Sequence, residues 1–274
     1  MPRFIINRPA ARQWETSRLQ FLLPPLPTLH RLRSKNIEMK VFKFLLAIAL
    51  LLPCVALTLT LYHAVATLGF GQGPWLQRPA LWLGMGFGCW LAIFGLLSPS
   101  VRAYVISHEL THVFWALLMG AKVSGLKASA RGGQVMVSKE NWLITLSPYF
   151  FPFYAMLVIA IYYGLNLLAD VRPFAAVFYY LLGFAWSFHL SFTWLALRQN
   201  QSDVRRHGWL FSMVVIYGMN LLMVALLVVL MSSRVTFAGY AEQFYNNCLL
   251  CWQWLDQMAR KLPALWRWIA RRAN

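Results

Sequence analysis

The chain has 274 residues, of which 59% are hydrophobic and 16% aromatic but only 12% charged; too few charged side chains are available to coat a soluble domain, so lipid is its main solvent. The formal net charge of +17 raises nucleic acid as a partner, yet no basic run is interleaved with stacking aromatics, and no nucleic-acid partner is expected. Most of the Lys and Arg flank apolar stretches, where such residues set topology and touch anionic head groups of the bilayer.

The sequence divides into a basic N-terminal arm (1–40), a membrane domain (41–232) and a basic tail (233–274). The arm holds Pro24, Pro25 and Pro27 and shows no sustained helical period. From Met39 the chain reads MKVFKFLLAIALLLP, which already supplies two lysines before a first span. Residues 1–38 are therefore expected to be dispensable for insertion.

Stretches 44–69, 79–101, 141–169, 173–197 and 208–233 contain no Asp, Glu, Lys or Arg, and each is long enough to cross a hydrocarbon core of about 30 Å. A sixth segment, 101–120, carries one carboxylate, Glu109. The fold class expected is an all-α polytopic membrane protein with about six transmembrane helices, read at 44–69, 79–99, 101–120, 142–169, 173–197 and 208–232. Between the third and fourth lies Lys122 to Asn141, KVSGLKASARGGQVMVSKEN. Its alternation of apolar and polar residues, broken at Gly132 and Gly133, predicts a short β-hairpin leaning on the helices.

The third segment carries the chemistry. His108 and His112 are four residues apart, so on a helix both imidazoles leave one face a turn apart and can bind one metal ion. Glu109 faces the adjacent edge, where it can take a proton from a metal-bound water and pass it to a leaving amine. An ionisable group inside a span costs at least about 2–3 kcal/mol, which makes it a functional residue by default. The pattern points to Zn2+ as cofactor.

A catalytic zinc keeps three protein ligands and an open position, so a third is needed. Of the carboxylates, Glu140 and Asp203 remain after the arm, the tail and Asp170 are set aside. Asp203 lies in QNQSDVRRHG at the mouth of the last span, on the side to which two intervening spans return the chain. His189, in the fifth span at a depth similar to His112, competes with it. Both stay open on the sequence alone.

After the last span, Tyr240 to Arg272 spaces Phe244, Cys248, Leu255, Leu262 and Ile269 near a helical period, with Arg260, Lys261, Arg267, Arg271 and Arg272 clustered late. This predicts an amphipathic helix in the membrane interface, interrupted near Pro263. The CxxC of Cys248 and Cys251 lacks the second pair that a zinc or redox site would need.

Taken together, ISHELTHVFWALLMGAKV, the Gly132-Gly133 hairpin and the later aspartate-headed span resemble the site-2 protease family of intramembrane zinc metalloproteases, over roughly residues 100–232. The resemblance implies His108, His112 and Asp203 as metal ligands, Glu109 as catalytic base, and a membrane-spanning protein as substrate, cleaved within the bilayer. The charge-free stretches make a multi-pass integral protein the expectation, in the cell (inner) membrane, and the positive charges near span ends lean toward a cytoplasmic active site. Two other classes stay open: a non-catalytic zinc-binding membrane protein (pseudoprotease or scaffold), and a transporter using His and Glu as a relay, for which no internal repeat is visible.

Overall fold

The computed structural model describes residues 28–67, 79–97, 101–129, 132–199, 201–232 and 234–273. Residues 1–27 of the arm lie outside them, while the rest of the arm is the start of a helix. The described residues are mostly helical: α1 (Thr28–Ala66), α2 (Pro79–Leu96), α3 (Val101–Leu118), α4 (Trp142–Leu146), α5 (Phe153–Asn166), α6 (Ala175–Leu197), α7 (Ser202–Arg206), α8 (Trp209–Met231) and α9 (Phe237–Ala273), with strands β1 (Val123–Ser129) and β2 (Gly132–Val137) between α3 and α4. Two compact units share them, Met1–Phe44 with Gly71–Ile216 and Leu45–Phe70 with Tyr217–Asn274.

Four helices are long and apolar enough to cross a membrane, at Ile37–Ala66, Pro79–Leu96, Arg172–Leu197 and Trp209–Leu230. The chain is thus a mostly helical membrane protein, but the expectation of six spans is not met. α3 falls short because Arg102, His108, Glu109 and His112 dilute its apolar residues. The expected span 142–169 is broken: Trp142–Tyr149 and Phe153–Asn166 meet at 83°, and only if they are counted as one do the candidates reach five. The cause is the sequence SPYFFP. Pro148 sits in a 3-10 turn, Ser147–Tyr149, and Pro152 has no N–H to give and bars a helical residue before it.

In the first unit, α2 and α6 pack backbone to backbone. A Cβ added to Gly183 would strike the Leu83 carbonyl, and one added to Gly86 the Tyr180 carbonyl, so small residues set this close approach. Trp90 seals the contact, donating to Ser191 Oγ at 3.2 Å and packing against Phe184, Phe188 and Phe192. α3 joins this block through Tyr104, stacked on Phe192, and through Tyr154 of α5, whose hydroxyl donates to the Ala103 carbonyl at 2.8 Å.

α3 stops at Gly120, whose φ of 66° is the left-handed conformation that glycine adopts without strain. The Ala121 N–H bonds back to the Ala116 carbonyl and Gly120 N–H to Leu117, closing the helix end. The chain then enters the expected antiparallel hairpin, which pairs Ser129 with Gly132 and Val123 with Val137; Gly132 and Gly133, expected to break it, instead lie within β2. The hairpin does not stand alone: Ala116, Ala121 and Ile144 form a small core that Trp115, Val123 and Val137 cover.

The second unit holds the later parts of α1 and α8 together with α9. The Thr58 hydroxyl lies 2.8 Å from that of Tyr217, and Asn247 Nδ2 of α9 donates to Thr60 Oγ1 of α1 at 2.9 Å. α9 is strongly amphipathic and runs through Pro263 without the expected interruption. Good helix formers on both sides, from Met258 to Leu262 and at Ala264 and Leu265, offset the one lost hydrogen bond.

Candidate metal centre

Two neighbouring turns of α3 carry His108 and His112, and both are buried. Their rings lie near perpendicular, with centroids 4.9 Å apart. Each ring is fixed through Nδ1: His112 Nδ1 lies 2.7 Å from the Ile144 carbonyl of α4, and His108 Nδ1 lies 3.2 Å from the Tyr104 hydroxyl one turn earlier. In the tautomer with the proton on Nδ1, both rings donate to these oxygens and present Nε2 as a ligand atom. Such outer hydrogen bonds orient metal-binding imidazoles generally.

Asp203 arrives from α7. Its Oδ2 lies 3.7 Å from His108 Nε2 and accepts from the Tyr149 hydroxyl at 3.1 Å. α7 is positioned from two directions: Arg206 pairs with Glu140 just before α4, and Ser212 Oγ of α8 donates to the Val204 carbonyl at 2.8 Å. His207, next in the chain, places Nδ1 2.9 Å from Lys43 Nζ, which donates to it. Burial, then Lys43 and Arg206, push His207 down to about 4, so its ring is neutral at pH 7.

His108, His112 and Asp203 each offer one ligand atom, and these atoms all lie within 4.8 Å of one another. Two ligands about 2.0–2.1 Å from a tetrahedral ion stand about 3.3–3.4 Å apart, so the 3.7 Å between His108 and Asp203 fits a shared ion with little adjustment. The three residues together could hold a metal ion. No family model matches this chain, and neither does a curated protein or a solved structure.

The rival third ligands are placed elsewhere. Glu140 is held by Arg206 and accepts from Thr145 Oγ1 at 3.3 Å. His189 stands outside the group; it lines a small cavity beside His108 with Ser107, Thr111 and Tyr154. Glu109 is buried to 2% exposure, and strand β2 runs directly against it: a Cβ on Gly133 would fall on the Glu109 carboxyl group. The second glycine of the hairpin thus makes room for that side chain. Three participants escaped the sequence reading. Tyr104 could have been found, since it precedes His108 by one helical turn. Tyr149 was marked by the two prolines around it, because irregular backbone at membrane depth is tolerated where it lines protein or a cavity. The Ile144 carbonyl leaves no mark in a sequence.

Proposed function

We propose that this chain is an intramembrane zinc metalloprotease of the site-2 protease type, cleaving peptide bonds of membrane-spanning proteins. The observation that carries the reading is the convergence of His108, His112 and Asp203 within 4.8 Å, one helical residue from a buried Glu109. Two imidazoles and one carboxylate are a donor set suited to zinc, and three protein ligands leave a fourth position for water or substrate. When bound, zinc supplies a water of lowered pKa and polarises a carbonyl oxygen. Glu109 would take the proton of the attacking water and deliver it to the leaving nitrogen. Tyr149 and Tyr104 hold Asp203 and His108 in place, so the ligands need little reorganisation. Hairpin β1–β2, with Gly133 against Glu109, would offer main-chain hydrogen bonds to an unwound substrate strand.

Metal analysis of the purified protein beside a cleavage assay on a membrane-spanning substrate tests this reading. About one zinc per chain is expected, with Glu109→Gln keeping the metal and losing turnover. Equal turnover by wild type and Glu109→Gln would overturn it.

A further inference from the structure

Among the described residues the metal group lies wholly in the first unit, while the second unit holds an open cavity of about 220 Å3 with a chemistry of its own. Thr60 and His63 of α1 and Thr67 just after it line the cavity, together with Arg234, Tyr240 and Gln243. Two candidate spans, Ile37–Ala66 and Trp209–Leu230, end within a few residues of its lining, where those helices would leave a bilayer. Among the described residues no carboxylate lines the cavity.

Several of its polar groups are already engaged. Thr60 Oγ1 accepts from Asn247 and donates to the Ala56 carbonyl at 2.7 Å, and Gln243 Nε2 donates to Asn247 Oδ1 at 3.3 Å. Two donors remain. Arg234 is exposed and carries a permanent charge, with its backbone fixed by Ser232 Oγ, which accepts from Arg234 N–H and Val235 N–H. The Tyr240 hydroxyl is buried and has no hydrogen-bond partner among the described residues. A buried hydroxyl without a partner costs about 1–3 kcal/mol, so it calls for an acceptor from outside the chain. The start of α9 at Phe237 adds the partial positive charge of a helix N-terminus, with Thr236 Oγ1 accepting from Gly239 N–H at 3.1 Å.

A permanent guanidinium charge at the rim, a phenol without a partner and a described lining free of carboxylates select an oxyanion, and the position at the ends of two candidate spans selects one attached to lipid. We propose that this cavity binds the phosphate of an anionic phospholipid, with Arg234 as its cation and Tyr240 as its donor. The test is native mass spectrometry of the full chain in detergent, loaded separately with phosphatidylglycerol, phosphatidylcholine or inorganic phosphate. Wild type should retain one phosphatidylglycerol against collisional stripping. Arg234→Gln and Tyr240→Phe should each retain it at least about tenfold less, at unchanged helix content and melting temperature. Phosphatidylcholine, whose choline offsets the phosphate, and inorganic phosphate should be held weakly by all three proteins. Equal retention of phosphatidylglycerol by wild type and both variants would overturn the site. Inorganic phosphate held as well as the lipid would overturn the lipid assignment in favour of a free anion.

Discussion

The Tyr149 hydroxyl and Asp203 Oδ2 lie 3.1 Å apart in the interior, joining a proline-broken turn to a short helix far along the chain. Tyr149→Phe removes only the donor and keeps the ring that packs edge-on against His108. Metal affinity should fall by about 10–100-fold, the usual effect of losing such a partner, with melting of the metal-free protein little changed. A chelator titration measures it, and identical curves for variant and wild type would show that the contact does not hold Asp203.

Asp203→Ala and His189→Ala separate the two third-ligand assignments. The first should strip zinc under a chelator that leaves wild type loaded, because Asp203 offers a ligand atom within 4.8 Å of those of His108 and His112. His189→Ala should hold its zinc. The reverse result would move the third ligand to α6.

Gly133→Ala should keep its metal and lose cleavage. The new methyl would meet the Glu109 carboxyl group, so either β2 or the glutamate must move away. A shift of about 1 Å in a catalytic group can cost about 100-fold in rate. Zinc content and turnover, measured on the same preparation, check this, and normal turnover would show that β2 yields freely.

Much of this arrangement could be read from residue order alone, for identifiable reasons. The spacing of His108 and His112 fixes their shared face whatever surrounds them, and the alternation across Lys122 to Asn141 predicts the hairpin, although Gly132 and Gly133, read as its break, lie within β2. Asp203 was reachable only by elimination, since nothing local ties QNQSDVRRHG to α3. The continuous helix expected over 142–169 is broken at SPYFFP, where apolar content argues for a continuous helix and two prolines argue against one. Charge-free length registers the first and ignores the second. α3 itself was taken for a span because it is long enough, although its polar residues serve the site at the expense of hydropathy.

The neutral state of His207 predicts a pH dependence. Unfolded, the ring titrates near 6.5, whereas in the fold it does so only at about 4. Between these values the unfolded chain binds more protons, so stability present above about pH 6.5 is lost as pH falls toward 4. Thermal melting in detergent across that range should slope less steeply for His207→Gln, whose amide oxygen can still accept from Lys43. Parallel slopes would show that His207 is not the titrating group.

Gly183→Ala tests the α2–α6 contact. The added carbon would strike the Leu83 carbonyl, a backbone atom that cannot rotate aside, so the helices must separate. Overpacking of this kind costs about 1–3 kcal/mol. A lowered melting temperature with normal zinc stoichiometry is expected, and unaltered melting would show that the two helices part without cost.

Because the metal group draws two ligands from α3 and one from α7, an ion held there would act as a clasp across the whole stretch of chain between them. The unfolded chain has no such preformed group, so binding energy becomes folding energy, growing as RT ln(1 + [L]/Kd) with free metal. Trace metal in a buffer would then shift the melting of every variant that still holds the ion, including those far from the site, and stabilities are comparable only at a fixed metal activity.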